Sequence, residues 1–400
     1  MRLYDSLRQE HVEVVPPDGV VRMYVCGITP YDTTHMGHAR TYVVFDALSR
    51  FLEDRGCTVR YVQNVTDIDD DILRKARQLG VPWDELGRRE TERFLRDMDA
   101  LNVRRPTFYV KATDHIPMMQ EIIQVLIDKG LAYVRKGNVY FDISRDPDFG
   151  KLAHMGYAEM LRTANERGNN PDDPHKDDPL DFVLWQAAQP GEPTWKSPWG
   201  PGRPGWHIEC SAMAMQYLGA QLQIHGGGAD LQFPHHECEI AQSENYTGVE
   251  PFAQAWVHVG MVYLGGEKMS KSLGNLVLVS DVLQRYSANA IRLALLGYHY
   301  RQPFGYSDED VARAEAVVDR WQTALADDRS HNPSGSITAE LLEHEAVAAL
   351  EDDFNTPEAI RVMNRLVDAA LAGAVDSPLV AARAIRRIGG SLGLSLPAGE

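Results

Sequence analysis

The sequence predicts an α/β chain: an open parallel sheet of the nucleotide-binding kind, interrupted by a loop-rich insertion and followed by a bundle of helices. First, apolar strand patterns at 20–25 and 59–65 flank a helical pattern at 37–55, as in a strand–helix–strand unit. Second, residues 144–204 are rich in Asp, Pro, Asn and Gly, which is typical of loops. Third, the character changes to helices from Ser307 onward.

Between these landmarks, periodicity and breaking residues predict the other elements. They are helices at about 84–101 and 114–128, a hairpin at 131–142 that turns at Lys136-Gly137, and strands near 221–225 and 255–263 that complete the sheet.

The C-terminal region carries an apolar stripe at helical spacing, formed by Val311, Ala314, Val318, Trp321 and Leu325. Trp321 lies on this stripe, so we assign it to the core and not to base stacking. A linker follows at 327–337, and Thr356-Pro357-Glu358 predicts the N-cap and first turn of another helix. The expected domains are 1–100 and 205–300 for the two halves of the catalytic sheet, 101–204 for an inserted connective segment, and 301–400 for a helical bundle.

Composition indicates an ordinary globular protein. Hydrophobic residues make up 44% of the 400 residues and charged residues 24%. The four cysteines form no CxxC pair, the N-terminus does not resemble a secretory signal, and no apolar run reaches the length of a membrane span. We therefore expect a reducing, cytoplasmic location, and neither a membrane nor DNA as a partner.

Two short motifs indicate the chemistry. His35-Met36-Gly37-His38 opens the first helix, where imidazoles can contact a phosphate chain at a helix N-terminus that already favours anions. Lys268-Met269-Ser270-Lys271-Ser272 lies in a Gly/Ser-rich loop, whose lysines can neutralise a leaving group. Together and in this order they resemble the HIGH and KMSKS signatures of class I aminoacyl-tRNA synthetases. The pair predicts activation of a carboxylate by ATP with Mg²⁺.

The cysteines indicate a metal. Cys26 ends the first predicted strand, Cys210 follows a Trp-His-Ile-Glu segment, and residues 233–239 supply two histidines, two glutamates and Cys238. Thiolates, imidazole and carboxylate together suit zinc, although the spacing is not that of a zinc finger. Spacing alone leaves open a second interpretation, buried structural cysteines beside a capping histidine pair.

Longer motifs resemble the cysteinyl-tRNA synthetase family, from about residue 2 to about residue 395. They are Tyr24-Val25-Cys26-Gly27-Ile28-Thr29, residues 64–70, residues 202–210 and His225-Gly226-Gly227-Gly228. The resemblance implies formation of cysteinyl-adenylate on a zinc ion that takes the substrate thiolate as a ligand. A hydrophobic pocket rejects the isosteric serine only weakly, whereas a soft zinc–thiolate bond rejects it strongly.

The resemblance also implies roles for individual residues. The expected zinc ligands are Cys26, Cys210, His235 and Glu239, with the neighbouring Cys238 open as a substitute and His236 expected in a supporting position. The expected catalytic residues are His35, His38, Lys268 and Lys271. The expected ATP and adenylate contacts are Gly37, Thr41, Asn64, Val65, Thr66, Gly228, Ala229, Asp230 and Val262. The expected cysteine contacts are Cys26, Gly27, Ile28, Thr29, Trp206 and His225.

Two families share these cysteine-activating motifs and differ in the molecule that accepts the activated cysteine. Cysteinyl-tRNA synthetases charge tRNA(Cys), and the ligase of the mycothiol pathway joins cysteine to the amine of glucosaminyl-inositol. Segments 27–38, 166–171 and 275–280 resemble the ligase, whereas Glu239 and segments 178–185 and 268–275 resemble the synthetase.

Charge and length favour the small acceptor. Residues 301–400 carry 9 Lys+Arg against 17 Asp+Glu, and the whole chain has a net charge of −17, which is unfavourable for a polyanion partner. Because the chain stops at Glu400, we expect no anticodon-binding module. We predict glucosaminyl-inositol as acceptor, with tRNA(Cys) as the alternative. A non-catalytic paralogue is disfavoured because both signature lysines and both signature histidines are present.

Overall fold

The computed structural model describes residues 1–32, 34–269, 274–326 and 335–397, and the side chain of Lys268 lies outside this description. Its strands are β1 (Arg2–Asp5), β2 (Glu10–Glu13), β3 (Val20–Ile28), β4 (Thr58–Val65), β5 (Phe108–Lys111), β6 (Ala132–Arg135), β7 (Asn138–Phe141), β8 (Phe182–Ala187), β9 (Gly202–Pro204), β10 (Leu222–Gly228), β11 (Ala253–Val259), β12 (Val262–Leu264), β13 (Glu267–Lys268) and β14 (Phe304–Gly305). Its α-helices are α1 (Met36–Asp54), α2 (Asp70–Leu79), α3 (Trp83–Ala100), α4 (Ile116–Asp128), α5 (Tyr157–Glu166), α6 (Trp206–Leu218), α7 (Glu237–Thr247), α8 (Val279–Leu283), α9 (Ala288–Leu296), α10 (Asp308–Ala326), α11 (Ala339–Glu351), α12 (Thr356–Leu371) and α13 (Pro378–Ser391).

The central sheet has the order β11-β10-β3-β4-β5, and all four pairings are parallel. Helices cover both faces, so the strands are almost continuously apolar, as in β3 with Val21, Met23 and Val25 fully buried. The chain adds β4 and β5 on one side of β3 and returns with β10 and β11 on the other. Such a reversal creates a crevice at the carboxyl ends of the two central strands, where ligands of open α/β sheets bind. The predicted α/β fold with a parallel sheet is confirmed.

The inserted region is more regular than its composition suggested. The predicted hairpin is present as β6 and β7, but the range 144–204, expected to be loop-heavy, also contributes α5, β8 and β9. β8 and β9 extend the hairpin to a four-stranded antiparallel sheet. The apolar run of β8 is short and flanked by Pro- and Gly-rich segments, which concealed its period.

The last predicted strand of the sheet is also divided. Residues 255–263 form the end of β11 and the start of β12, with a break at Gly260. A Cβ at Gly260 would lie 2.6 Å from the carbonyl carbon of Gln302, so only glycine allows the two backbones to approach. The break turns β12 out of the parallel sheet to pair with β13 and β14.

The C-terminal helices pack on the catalytic part through a shared core. Val311, Ala314, Val318 and Trp321 are buried, and the Trp321 indole donates to Asn364 Oδ1 at 2.8 Å, which confirms its assignment to the core. The predicted N-cap of α12 is wrong by one residue, because the side chain of Asn355, not Thr356, accepts the hydrogen bond from Glu358 N. Residues 327–334 of the predicted linker lie outside the described residues.

A buried arginine connects the helical bundle to the sheet. Arg292 of α9 is fully buried and donates to Leu101 O, Leu392 O and Asp46 Oδ2, at 3.0, 2.9 and 2.6 Å. The predicted domain boundaries remain a proposal; β5, within the range 101–204, pairs with β4 of the parallel sheet. In the described parts of the chain, no helix is long and apolar enough to cross a membrane.

Candidate active site and metal centre

The crevice between β3 and β10 is lined by residues that have no room for a side chain. A Cβ at Gly27 would lie 1.5 Å from Asn64 O, and one at Gly226 would lie 2.1 Å from the ring of Phe45. The Gly27 N–H donates to Asn64 Oδ1 at 2.7 Å, which joins the ends of β3 and β4. These glycines allow β4 and α1 to pack closely against β3 and β10 beside the crevice.

Four predicted metal ligands converge beside this crevice. Cys26 lies near the carboxyl end of β3, Cys210 lies on α6, His235 lies in the turn before α7, and Glu239 lies in the first turn of α7. Their ligand atoms all lie within 4.8 Å of one another. Cys26 Sγ is 3.9 Å from Cys210 Sγ, and His235 Nε2 is 3.3 Å from Cys210 Sγ and 3.2 Å from Glu239 Oε1.

Burial makes this cluster unfavourable without a cation. All four side chains are buried, and desolvation raises the pKa of Cys26, Cys210 and Glu239 and lowers the pKa of His235. Each shift opposes the charged form of its group. A dication among them would favour deprotonated thiols and carboxylate with neutral imidazole, which is the protonation state of a ligand set.

The donor set fits zinc. Two thiolates 2.3 Å from a tetrahedral ion are about 3.8 Å apart, close to the Cys26–Cys210 separation. A second set of Cys26, His225, His236 and Glu239 also converges within 4.8 Å, but it holds one thiolate and shares two members with the first. Among the described residues, Cys238 belongs to neither set, whereas Glu239 belongs to both, which favours Glu239 as the fourth ligand.

Surrounding histidines hold the cluster in place. His207 Nδ1 lies 2.9 Å from His235 Nδ1, so His235 presents Nε2 to the thiols. His236 Nε2 lies 3.2 Å from Cys26 Sγ, and its Nδ1 lies 2.8 Å from His258 Nε2. Sequence reasoning gave His236 only a supporting position and missed His258; the consecutive histidine pair was the one signal available.

The two signature histidines lie at the start of α1. His35 caps the helix by accepting from Gly37 N at 3.1 Å, and its ring stacks on His38 with centroids 3.8 Å apart. A Cβ at residue 37 would lie 2.9 Å from the His35 ring, which explains the glycine. Lys271 and the side chain of Lys268 lie outside the described residues.

The predicted substrate contacts surround the same crevice. Asn64 Nδ2 donates to Thr66 Oγ1 at 3.2 Å, and the half-buried indole of Trp206 stacks on His235 with centroids 4.2 Å apart. His225 is fully buried, with Nε2 2.9 Å from Glu239 Oε2, so it contacts the cluster. The remaining predicted contacts lie at the ends of β3, β4 and β10, in α1 and in β12; they are Ile28, Thr29, Thr41, Val65, Gly228, Ala229, Asp230 and Val262.

The inserted region reaches the crevice through Arg167. Its guanidinium donates to the carbonyl oxygens of Asp230 and Phe233, which brings the segment 166–171 beside the end of β10. Asn169 donates to Pro179 O at 3.0 Å and accepts from Lys176, so this segment is folded onto its own loop.

Comparison with known families identifies the class. The model of the tRNA synthetases class I (C) catalytic domain matches residues 13–316, and the DALR domain matches residues 347–396. The chain belongs to this class I synthetase family, and the predicted class of enzyme, an ATP-dependent ligase, is confirmed.

Similar proteins fall into two groups. The chain is 48% identical to the L-cysteine:1D-myo-inositol 2-amino-2-deoxy-alpha-D-glucopyranoside ligase of Kribbella flavida, over 91% of this chain and 89% of that protein. It is 44% identical to the cysteine–tRNA ligase of Thermodesulfovibrio yellowstonii, over 98% of this chain and 85% of that protein. Its fold is similar to that of Mycobacterium tuberculosis methionyl-tRNA synthetase in complex with methionyl-adenylate, with a TM-score of 0.69, 18% identity, and 92% and 90% of the two chains covered.

The metal centre leads to a first prediction. The purified protein is expected to hold about one zinc ion per chain, and Cys210→Ser should lose it because a hydroxyl is a poor substitute for a thiolate. Elemental analysis after dialysis measures this. Cys238→Ser, another buried cysteine close in sequence to the cluster, is the matched control and should retain the metal. Equal metal loss in both variants, or full activity without metal, would contradict the assignment.

Proposed function

We propose that this chain activates L-cysteine with ATP to form cysteinyl-adenylate, and then transfers cysteine to the amine of glucosaminyl-inositol. The cluster of Cys26, Cys210, His235 and Glu239 at the switch point of the sheet carries this proposal, since its soft donors suit a metal that selects a thiol. When bound, the zinc would supply a soft cation for the substrate sulfur.

The residues of the chain would hold the reacting groups of cysteine and ATP. Trp206 and Thr29 would enclose the amino acid, with its carboxylate directed towards α1. His35 and His38, paired at the N-terminus of α1, would stabilise charge that develops on the α-phosphate as the carboxylate attacks. Lys268 and Lys271 would follow the departing pyrophosphate with its Mg²⁺. Positioning and charge stabilisation supply most of the catalysis in phosphoryl chemistry of this kind.

The small acceptor is supported by the surface beyond the crevice. Relatives named for the amino-sugar reaction are 45–48% identical over more than nine-tenths of this chain. The contact of Arg167 with Asp230 O brings the segment 166–171 to the open end of the crevice, where it can narrow the entry for a small sugar. The helical bundle is acidic, which disfavours a nucleic-acid partner.

One observation favours tRNA(Cys) as the alternative acceptor. Glu239 lies within the candidate metal cluster, and a carboxylate at this position is one of the features by which the sequence resembles the synthetases. Relatives named cysteine–tRNA ligase are 44–46% identical.

The adenylation step can be tested on its own. His38→Ala is expected to slow cysteine-dependent exchange of pyrophosphate into ATP by about 10²–10³-fold, as for removal of one donor to a developing charge. The dissociation constant of cysteine should change much less, because the stabilisation acts on the transition state. Isotope exchange and equilibrium titration measure the two quantities. A loss confined to cysteine affinity would contradict the role of His38, whereas an enzyme with no cysteine-dependent exchange would refute the proposed function.

The acceptor is tested by running both transfers in parallel. With glucosaminyl-inositol we expect a cysteinyl amide whose yield is insensitive to added salt, because few phosphate contacts are involved. A tRNA acceptor would give an ester whose yield falls steeply between 50 and 200 mM salt, by about 10³-fold or more for a protein that contacts several phosphates. Mass spectrometry of the product separates the two. Efficient charging of tRNA(Cys) with no turnover of glucosaminyl-inositol would contradict the amino-sugar acceptor and support tRNA(Cys) in its place.

A further inference from the structure

One carboxylate beside the metal cluster has no partner. Glu209 lies in the first turn of α6 and is fully buried, and neither of its oxygens has a hydrogen-bond partner. The neighbouring buried glutamate Glu237, by contrast, accepts from three backbone N–H groups, at 2.8 Å each. A buried carboxylate without a hydrogen-bond partner costs free energy. The two oxygens of Glu209 are therefore candidates to bind a donor group of a ligand.

The strongest interactions of Glu209 within the described residues are with other acids and with one hydroxyl, that of Thr66. The nearest charged or ionisable neighbours are Cys210, Asp69 and Asp67, all of which are acids, together with the hydroxyl of Thr66. Asp67 accepts hydrogen bonds from the backbone N–H and the hydroxyl of Thr113, and Asp69 accepts from Asp71 N as the N-cap of α2. A donor that carries positive charge and arrives from outside would pair with these oxygens.

A divalent metal ion does not meet this description. Glu209 belongs to neither of the two groups of convergent metal-binding side chains in the described part of the chain. Asp67 and Asp69 also use their oxygens on backbone and hydroxyl donors. A small organic cation with several N–H donors fits the surroundings better.

The proposed substrate supplies such a cation in the right place. In cysteine the ammonium nitrogen is three bonds from the sulfur. Glu209 directly precedes Cys210, which faces the sulfur site, and Thr66 is held by Asn64, whose other amide atom binds Gly27 N. The interactions of Glu209 with Thr66 and Cys210 place it between the end of β4 and the thiol cluster. An amino group three bonds from a sulfur held at that cluster can lie on this side of the crevice.

We propose that Glu209, assisted by the Thr66 hydroxyl, binds the α-ammonium group of the cysteine substrate and so restricts activation to thiols that carry an α-amine. This inference rests on the proposed activation of cysteine. It adds a second criterion to recognition of the sulfur: the metal selects the thiol, and Glu209 selects the amino acid.

The test compares cysteine with 3-mercaptopropionate, which keeps the thiol and carboxylate but lacks the amine. In the zinc-loaded enzyme, Glu209→Gln should weaken cysteine binding by about 10–100-fold, the range for loss of a charge-assisted hydrogen bond. Its dissociation constant for 3-mercaptopropionate should change less than about threefold. Isothermal titration measures both, and elemental analysis checks that zinc is retained. Glu343→Gln, another buried glutamate, on α11 of the helical bundle, is the matched control and should change neither constant.

Two results would overturn the inference: equal weakening of both ligands by Glu209→Gln, or no weakening of either. If Glu209→Gln fails to fold, Thr66→Val is tested with the same two ligands. It should weaken the binding of cysteine by about fivefold, as for loss of one neutral hydrogen bond, and leave the binding of 3-mercaptopropionate unchanged. The proposed function is judged separately by cysteine-dependent pyrophosphate exchange in the unaltered enzyme. Its absence would refute that function, whereas exchange with an unchanged preference for cysteine in both variants would refute only the role of Glu209.

Discussion

The burial of two thiols, a carboxylate and an imidazole within 4.8 Å of one another is the constraint on which this active site depends. These groups come from β3, α6, α7 and the turn before it, so the cluster joins elements on both sides of the sheet reversal. Burial raises the pKa of Cys26, Cys210 and Glu239 and so favours their neutral forms in the absence of a cation. Metal affinity and local packing would therefore be coupled, because the ion proposed to recognise the substrate would also compensate the buried acids.

The surrounding structure supports this arrangement at two levels. Gly27 and Gly226 allow Asn64 and the Phe45 ring to pack closely beside the crevice, and histidines behind the cluster orient its ligands. The contrast between Glu239 and Glu209 then becomes informative. Glu239 lies within the cluster, whereas the oxygens of Glu209, one residue before Cys210, have no hydrogen-bond partner. The proposed roles of the two carboxylates differ accordingly: Glu239 would bind the metal, and Glu209 would bind the substrate amine.

Much of this site could be predicted from the sequence because the motifs are local. The segment around Cys26 ends a strand, His35 begins a helix, and both positions follow from strand and helix signals alone. The convergence of Cys210 and Glu239 with them depends on tertiary packing, and only resemblance to a family indicated it. His236 was expected only in a supporting position, and Glu209 and His258 were not assigned, since their surroundings depend on which face of α6 or β11 they occupy. In the insertion, α5 and β8 were missed because an uncapped helix and a six-residue strand give weak periodic signals.

The most direct test of this account is X-ray absorption spectroscopy at the zinc edge, with and without cysteine. The account predicts two sulfur ligands from the protein, Cys26 and Cys210, and a third sulfur when cysteine is added, but no change when serine is added. A sulfur count that stays the same on addition of cysteine would contradict the claim that the metal selects the substrate through its thiol.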